Sequence, residues 1–313
     1  MTTSPPQTLP VVRLKTEKLK PKSFWSQALR SLWADRMTMT AIFVLVALTL
    51  ISIFGPGILE AQFGINPTKT NVLEKYMATG EGNHLLGTDN LGRDQFARLM
   101  AGGQISLSIA YLASALSIII GVTLGIVVGY YGGIIDDVFI WFIATLTSIP
   151  SIFLLLIAAS IWSPSPPVLI LILALLSWVD TARLVRGEVF SLRETDFVVA
   201  ARALGATPGR IMSAHLLPNL LPIVIVNLAI SAGVLILVES GLSFLGLGVQ
   251  PPTASWGNML TDARTFFAKG PHLVFWPGLM ISLAVICFYL IGDGLRDALD
   301  PRSTRRGPTN KQP

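Results

Sequence analysis

Six apolar stretches, each long enough to cross a bilayer, constrain this chain more than any other feature. They run over about 37–59, 105–130, 138–161, 167–185, 220–245 and 273–293. About 20 such residues make ~30 Å of helix, the thickness of the hydrocarbon core. Backbone groups there find no water, so spanning segments of this kind fold as helices that satisfy their own hydrogen bonds. The charged fraction agrees: 13% of the 313 residues, with 52% hydrophobic, where a soluble domain carries roughly 25% charge. The expected class is an all-α, polytopic membrane protein with six transmembrane helices.

The polar remainder divides the chain. Residues 1–36 form a tail before the first span. Its first 22 residues are rich in Pro, Thr and Lys and are expected to be disordered. Residues 23–36 read as a basic amphipathic helix whose Phe24, Trp25, Leu29, Leu32 and Trp33 face the lipid boundary; a linker helix without lipid contact is the alternative. The tail is not a cleavable signal peptide, because the first apolar run starts too late and is too long. The transmembrane unit occupies 37–302, with a loop at 186–219, and a second tail covers 303–313. The lone Cys287 permits neither an internal disulfide nor a cysteine-based metal site.

Lys and Arg are unevenly shared between the two sides. With six spans, the side holding both tails and the 181–218 loop carries 17 of them, and the side holding 60–104 and 246–272 carries 6. Positive residues stay cytoplasmic, so both termini and the 181–218 loop are expected inside. The net charge of +5 is then an orientation signal, not a nucleic-acid signature.

The loop between the fourth and fifth runs has its own architecture. Thr195 or Asp196 can cap a first helical turn. Phe197, Ala200, Ala201 and Leu204 follow at i, i+3, i+4 and i+7, one helix face. Gly205 fits the left-handed position that closes a helix. Thr207-Pro208 restarts one, with Pro at its first position, and Pro218 and Pro222 mark the next break. Two readings fit: a hairpin flat on the lipid surface, or a docking element for a partner.

Several residues within the spans call for a role. Gly121, Gly125, Gly129 and Gly133 recur every four residues, a spacing that lets helices approach closely, within this chain or against a partner. Glu239 and Asn227 are candidates for lining a path or for interhelical hydrogen bonds, since polar groups at membrane depth are costly. Asp180 is expected to pair with Arg183 or Arg186. Pro150 is expected to kink the third span. There is no G-x4-GK[ST] phosphate loop, no H-E-x-x-H or Cys/His cluster and no Ser/His/Asp constellation, so neither a catalytic site nor a cofactor or metal site is assigned. His84 and His272 fall on one side and His215 on the other, which excludes a site shared by all three.

Four segments carry a family resemblance. AA-x3-G-x9-H-x-LP, from Ala200 and Ala201 through Gly205 and His215 to Pro218, resembles the EAA loop of permease subunits of ATP-binding-cassette importers. HLLGTDNLGRDQFARLMAGGQISL (84–107), ESGLSFLGLGVQPPTASWGNML (239–260) and GDGLRDALDPR (292–302) are similar to signatures of the dipeptide, oligopeptide and nickel branch. The resemblance covers most of 80–302 and points to the second of two non-identical permeases. It implies a type I importer permease fold with a cytoplasmic coupling helix. Phe197, Ala200, Ala201, Arg202, Leu204 and Gly205 would dock on the ATPase. Val199 stands where the family carries Glu, removing one polar contact that Asp196 or Glu194 would have to replace. The implied partners are a second permease, two ATPase subunits that bind the ATP and Mg, and an extracytoplasmic substrate-binding protein, in a cytoplasmic membrane. Peptides are the expected cargo; a nickel or other metal chelate, glutathione or an oligosaccharide are alternatives. A stand-alone secondary transporter, a different class, would want several ionisable residues in the spans and internal repeats, and the sequence shows few of the former and no clear repeat.

Overall fold

The computed structural model describes residues 24–300 apart from 83, 163–164, 262–265 and 268. The expected disordered stretch 1–22 and the tail 303–313 lie outside the described residues. Among these residues the chain is helical, with one isolated bridge between Thr88 and Asp94. Its helices are α1 (Phe24–Ala34), α2 (Arg36–Phe63), α3 (Gln95–Tyr131), α4 (Gly133–Thr147), α5 (Ser151–Ile161), α6 (Pro166–Leu192), α7 (Asp196–Ala203), α8 (Pro208–Phe244) and α9 (His272–Leu299). Five of them, α2, α3, α6, α8 and α9, are each long and apolar enough to cross a membrane, and α4 with α5 makes a sixth if the bent pair is one span.

Several expected boundaries shift. α3 starts ten residues before its apolar run, at Gln95, because Asp94 caps it there by accepting from the Ala97 amide at 2.7 Å. α2 continues through Gly55-Pro56 to Phe63 and ends on Gly64 at φ 65°, the left-handed residue that closes helices. The third span is not one helix. It breaks at Ser148–Pro150, and the two halves turn by 76°; Pro150 supplies no N–H and disfavours helical geometry at the residue before it. Pro218 and Pro222 do not end a helix, contrary to the sequence reading. α8 runs through both, after a π-helical turn over Ile211–Leu216 in which the Leu217 amide reaches back five residues to the Met212 carbonyl. The Asn219 side chain donates to the His215 carbonyl at 2.6 Å, one turn back on the same helix.

The core is arranged around α3. Its residues enter three apolar clusters: with α2, α8 and α9, with α5, α6 and α8, and with α6, α7 and the start of α8. Close approach to α6 depends on glycine. Cβ atoms added at Gly121, Gly125 and Gly129 would lie 2.6 Å from Thr181 Cβ, 2.8 Å from the Ala182 carbonyl oxygen and 2.8 Å from Val189 Cβ. Gly133, the fourth in register, has open space around it and begins α4. Asn227 bridges α8 to the same region, donating to Thr181 Oγ1 at 2.9 Å.

α1 turns Ala28 inward and leaves Trp25, Leu29 and Trp33 exposed. Leu32 is half-buried, and it lines a groove against Leu295 and Leu299 of α9 together with Trp25 and Leu29. Asp35 then caps α2, accepting from the amides of Met37 and Thr38 and from the Thr38 hydroxyl; the Thr38 bond, more than the backbone bonds, holds its carboxyl below the usual range.

Candidate functional site: a structured loop and a knitted cap

Folded features gather at the two ends of the bundle. At one end the chain leaves α6 and forms α7. The Thr195 hydroxyl donates to the Leu192 carbonyl at 2.5 Å, and Thr195 is the N-cap. The helix closes as expected at Gly205, φ 84°. Its amide bonds to the Arg202 carbonyl and the Ala206 amide to the Ala201 carbonyl, both at 3.0 Å. That pair of bonds is the Schellman arrangement. Thr207 caps α8, with Pro208 at its first position.

The inward face of α7 differs from the expected one. Val198 and Ala201 are buried, and Val198 packs with Ile211, Leu216, Leu220, Val185 and Val189. Phe197, Ala200, Arg202, Leu204 and Gly205 are all exposed. The i, i+3, i+4, i+7 spacing predicts one face for Phe197, Ala200, Ala201 and Leu204; in the structure Ala201 turns into the body and the other three turn out. Leu204 is 89% exposed, Phe197 42% and Val199 49%. These side chains add nothing to the core and leave apolar area on the outer face of α7. The Arg202 guanidinium sits 5.8 Å from the Tyr130 ring centroid. Glu194 is held by Arg193 at 3.0 Å, while Asp196 is exposed.

Ion pairs brace the platform beneath. Arg186 makes a two-pronged contact with Asp136 of α4, its Nη2 at 2.6 Å from Oδ2. Arg183 donates to Thr147 Oγ1 at 3.1 Å, and Arg193 donates to the Gly129 carbonyl at 3.1 Å. Asp180, expected to pair with Arg183 or Arg186, is instead exposed, and both arginines reach α4. The pairing partner lay 50 residues away in sequence, beyond what local spacing can indicate.

At the other end, two sequence signatures fold into one cap. In 84–94, Asp89 takes the amides of Leu91 and Arg93 on Oδ1, and Arg93 Nε on Oδ2 at 2.7 Å. Arg98 Nε is 3.4 Å from the same oxygen. His84 lies between Asp94 (2.8 Å) and Glu74 (3.3 Å). Gly87 and Gly92 hold positive φ and press on the backbones of Met77 and Asn71, leaving no room for a side chain. His272 Nε2 is 3.4 Å from the Thr88 carbonyl oxygen.

The second signature locks onto α3. Trp256 is 1% exposed; its indole donates to the Leu99 carbonyl at 2.9 Å and its amide to Ser106 Oγ at 3.1 Å. Gly102 and Gly103 make room for the ring. The Asn258 amide group donates to the carbonyls of Val249 and Thr253. Glu239 sits below this lid, fully buried, accepting from Ser106 at 3.0 Å and Ser243 at 2.8 Å. Glu239 therefore joins α8 to α3, and through Ser106 to the lid.

The sequence reading missed Gln95 and Arg98. Both are buried at the start of α3 and line a cavity of about 280 Å³ under the cap. Their signal was legible: two polar residues at i, i+3 entering an apolar helix. The described residues contain no group of three or more His, Cys, Asp or Glu placed to hold a metal ion.

A helical bundle with five or six apolar helices, a structured loop with an exposed apolar face at one end and a hydrogen-bonded cap at the other has the features of a multi-pass membrane component. Comparison with known proteins makes the class specific. Residues 121–305 match the family described as binding-protein-dependent transport system inner membrane component, and residues 23–76 match the N-terminal transmembrane domain of oligopeptide transport permease C. The chain is 37% identical to a dipeptide transport system permease protein of Alkalihalophilus pseudofirmus, over 89% of this chain and 90% of that protein. It is 33% identical to an oligopeptide transport system permease protein of Haemophilus influenzae (93% and 92%), and 35% identical to a glutathione transport system permease protein of Pectobacterium atrosepticum (94% and 95%). The chain belongs to the family of binding-protein-dependent transport system inner membrane components. It is a transport subunit, not an enzyme, and the all-helical fold expected from the sequence is the one observed.

Proposed function

We propose that this chain is one of two non-identical permease subunits of an ATP-driven importer that carries di- or oligopeptides across the cytoplasmic membrane. The observation that carries the coupling role is α7: a short helix anchored by Val198 and Ala201 that leaves Phe197, Ala200 and Leu204 outward. Such a helix suits the cleft of an ATPase subunit. Two ATPases would bind the ATP and Mg, and their closure would push on α7 and, through Ile211 and Leu216, on α8. The second permease would cover part of the apolar surface left on α2, α4 and α5, where Phe43, Ile134, Trp141 and Ile157 are exposed. Lipid would cover the rest. A binding protein would deliver cargo to the capped end.

The excess of Lys and Arg supports cytoplasmic termini and a cytoplasmic α7. Peptide cargo is supported by the dipeptide and oligopeptide relatives, and glutathione is a second reading, supported by the 35% identical permease.

The test is to purify the tagged chain from its native membrane, then assay dialanine uptake in vesicles. Expected are co-purification with a second permease and a phosphate-loop ATPase, and uptake that stops without ATP. Uptake by the chain alone, driven by an ion gradient, would assign it to the secondary transporters instead.

A further inference from the structure

The cavity beneath the cap contains donors with no acceptor among the described residues. Gln95 is 2% exposed and Arg98 6%. Gln95 Nε2 and Arg98 Nη1 have no hydrogen-bond partner among the described residues. Both side chains line the same cavity, and their i, i+3 spacing on α3 puts them on one helix face. A buried donor left unmatched is costly, more so when it is charged.

Asp89 cannot satisfy them. A carboxylate offers about four acceptor sites. Asp89 already takes two backbone amides on Oδ1, and Arg93 Nε and Arg98 Nε on Oδ2. Among the described residues, the charged side chains lining the cavity are thus two guanidinium groups and one carboxylate. The other carboxylates of this knot, Asp94 and Glu74, are turned to His84 and do not line it. A water molecule would accept the orphan hydrogen bonds and leave the excess positive charge. An anion answers both. The first turn of the 37-residue α3, where Gln95 lies, adds the positive end of its dipole. Apolar Met259, Phe266 and Leu273 form other parts of the wall, which suits an anion attached to a small carbon skeleton better than a bare ion.

We propose that this cavity is a carboxylate-binding site at the capped end, in which Arg98 Nη1 and Gln95 Nε2 donate to the two oxygens of one carboxylate. Its volume admits a small organic acid, the C-terminus of a short peptide, or an acidic side chain presented by a partner protein. The site goes beyond the coupling role of α7 and does not depend on which cargo is carried.

The test uses the full-length chain, purified with the subunits it assembles with, in lipid nanodiscs. Thermal unfolding is followed while sodium acetate replaces sodium chloride at constant ionic strength, with acetamide as the neutral isostere. The expected result is a saturable rise in the unfolding midpoint with acetate and none with acetamide. Gln95→Leu should raise the half-saturating acetate concentration by roughly tenfold or more, the usual cost of one hydrogen bond to a charged group. Arg98→Gln should abolish saturation, and if that variant does not fold, Gln95→Leu alone decides. A rise that does not saturate, an equal rise with acetamide, or an unchanged response in Gln95→Leu overturns the proposal. Dialanine and its C-terminal amide separate the sources. A dialanine response at a tenth of the acetate concentration or less, lost on amidation, assigns the carboxylate to a peptide terminus. Equal potency of dialanine and acetate assigns it to an acidic side chain of a partner protein.

Discussion

Gly125 of α3 lies directly against Val185 of α6: a Cβ added at Gly125 would sit 2.9 Å from the Val185 Cβ and 2.8 Å from the Ala182 carbonyl oxygen. Both neighbours belong to a helix that is itself clamped, since Arg186 is fixed to Asp136 and Arg193 to the Gly129 carbonyl. The contact cannot yield by moving one flexible side chain. Gly125→Ala is therefore expected to cost about 1–3 kcal/mol, the range for overpacking, and to lower the unfolding midpoint of the purified complex. Gly241→Ala is the control, because nothing lies within 4 Å of an added Cβ there and Ala is the better helix former by roughly 0.5–1 kcal/mol. Equal midpoints for the two variants would mean that α3 and α6 separate without penalty.

Glu239 makes a different kind of joint. It is fully buried, and two serine hydroxyls donate to it from α3 and from its own helix. Glu239→Ala leaves Ser106 and Ser243 without their acceptor and is expected to destabilise by about 1–3 kcal/mol. Glu239→Gln keeps one oxygen acceptor and is expected to cost less. The folding yield and unfolding midpoint should fall in that order, with uptake per assembled complex nearly unchanged. A Glu239→Gln complex with a wild-type midpoint and little uptake would place the carboxylate on the cargo path instead.

The cap responds to pH through His84. Burial disfavours charging the ring, but the hydrogen bonds and negative charges of Asp94 and Glu74 outweigh it and raise the pKa above the ordinary 6.5. With the folded value raised, the stabilisation is complete below the unfolded pKa and is lost as pH rises through the folded one. Amide exchange over residues 74–94 should therefore be slowest, after correction for intrinsic rates, near pH 5.5 and faster towards about pH 8.5. His84→Gln should flatten that dependence, and a profile unchanged by the substitution would show that the cap's pH response comes from another group.

What the sequence disclosed and what it hid divide along a physical line. The apolar runs over 105–130 and 273–293 located helices because twenty consecutive apolar residues have no other stable arrangement in lipid. Helix ends were less visible. α3 begins at Gln95 in polar sequence, where only the Asp94 cap marks it, and α8 passes Pro218 directly after a π turn over Ile211–Leu216 that no residue type announces. Gly205 could be placed because a left-handed residue after a helix is a local requirement. The facing of α7 could not: Val198 and Phe197 are both apolar, and hydropathy does not distinguish a side chain that packs inward from one left exposed. The relations Asp136–Arg186, Glu239–Ser106 and Trp256–Leu99 join residues 50 to 157 positions apart, and no local pattern in one sequence encodes them.

Gly205 and Leu204 allow the coupling role to be separated from folding. An added Cβ at Gly205 meets nothing within 4 Å, so a substitution there is opposed by its φ of 84° alone. A β-branched residue is penalised most in that conformation, by at least ~1–2 kcal/mol, whereas Asn adopts it readily. Gly205→Val should loosen the Schellman bonds to Ala201 and Arg202 and let the end of α7 drift, while the buried anchor at Val198 keeps the subunit folded. Leu204→Asp changes no internal packing, because the side chain is 89% exposed, but puts a charge on the outward face. Both variants are expected to assemble with the other subunits yet lose most ATP-dependent uptake; Gly205→Asn should retain it. The check is uptake per assembled complex alongside the yield of ATPase in the pull-down. Normal uptake by both Gly205→Val and Leu204→Asp would show that force does not pass through α7, and equal failure of Gly205→Asn and Gly205→Val would trace the defect to the lost glycine itself rather than to backbone strain.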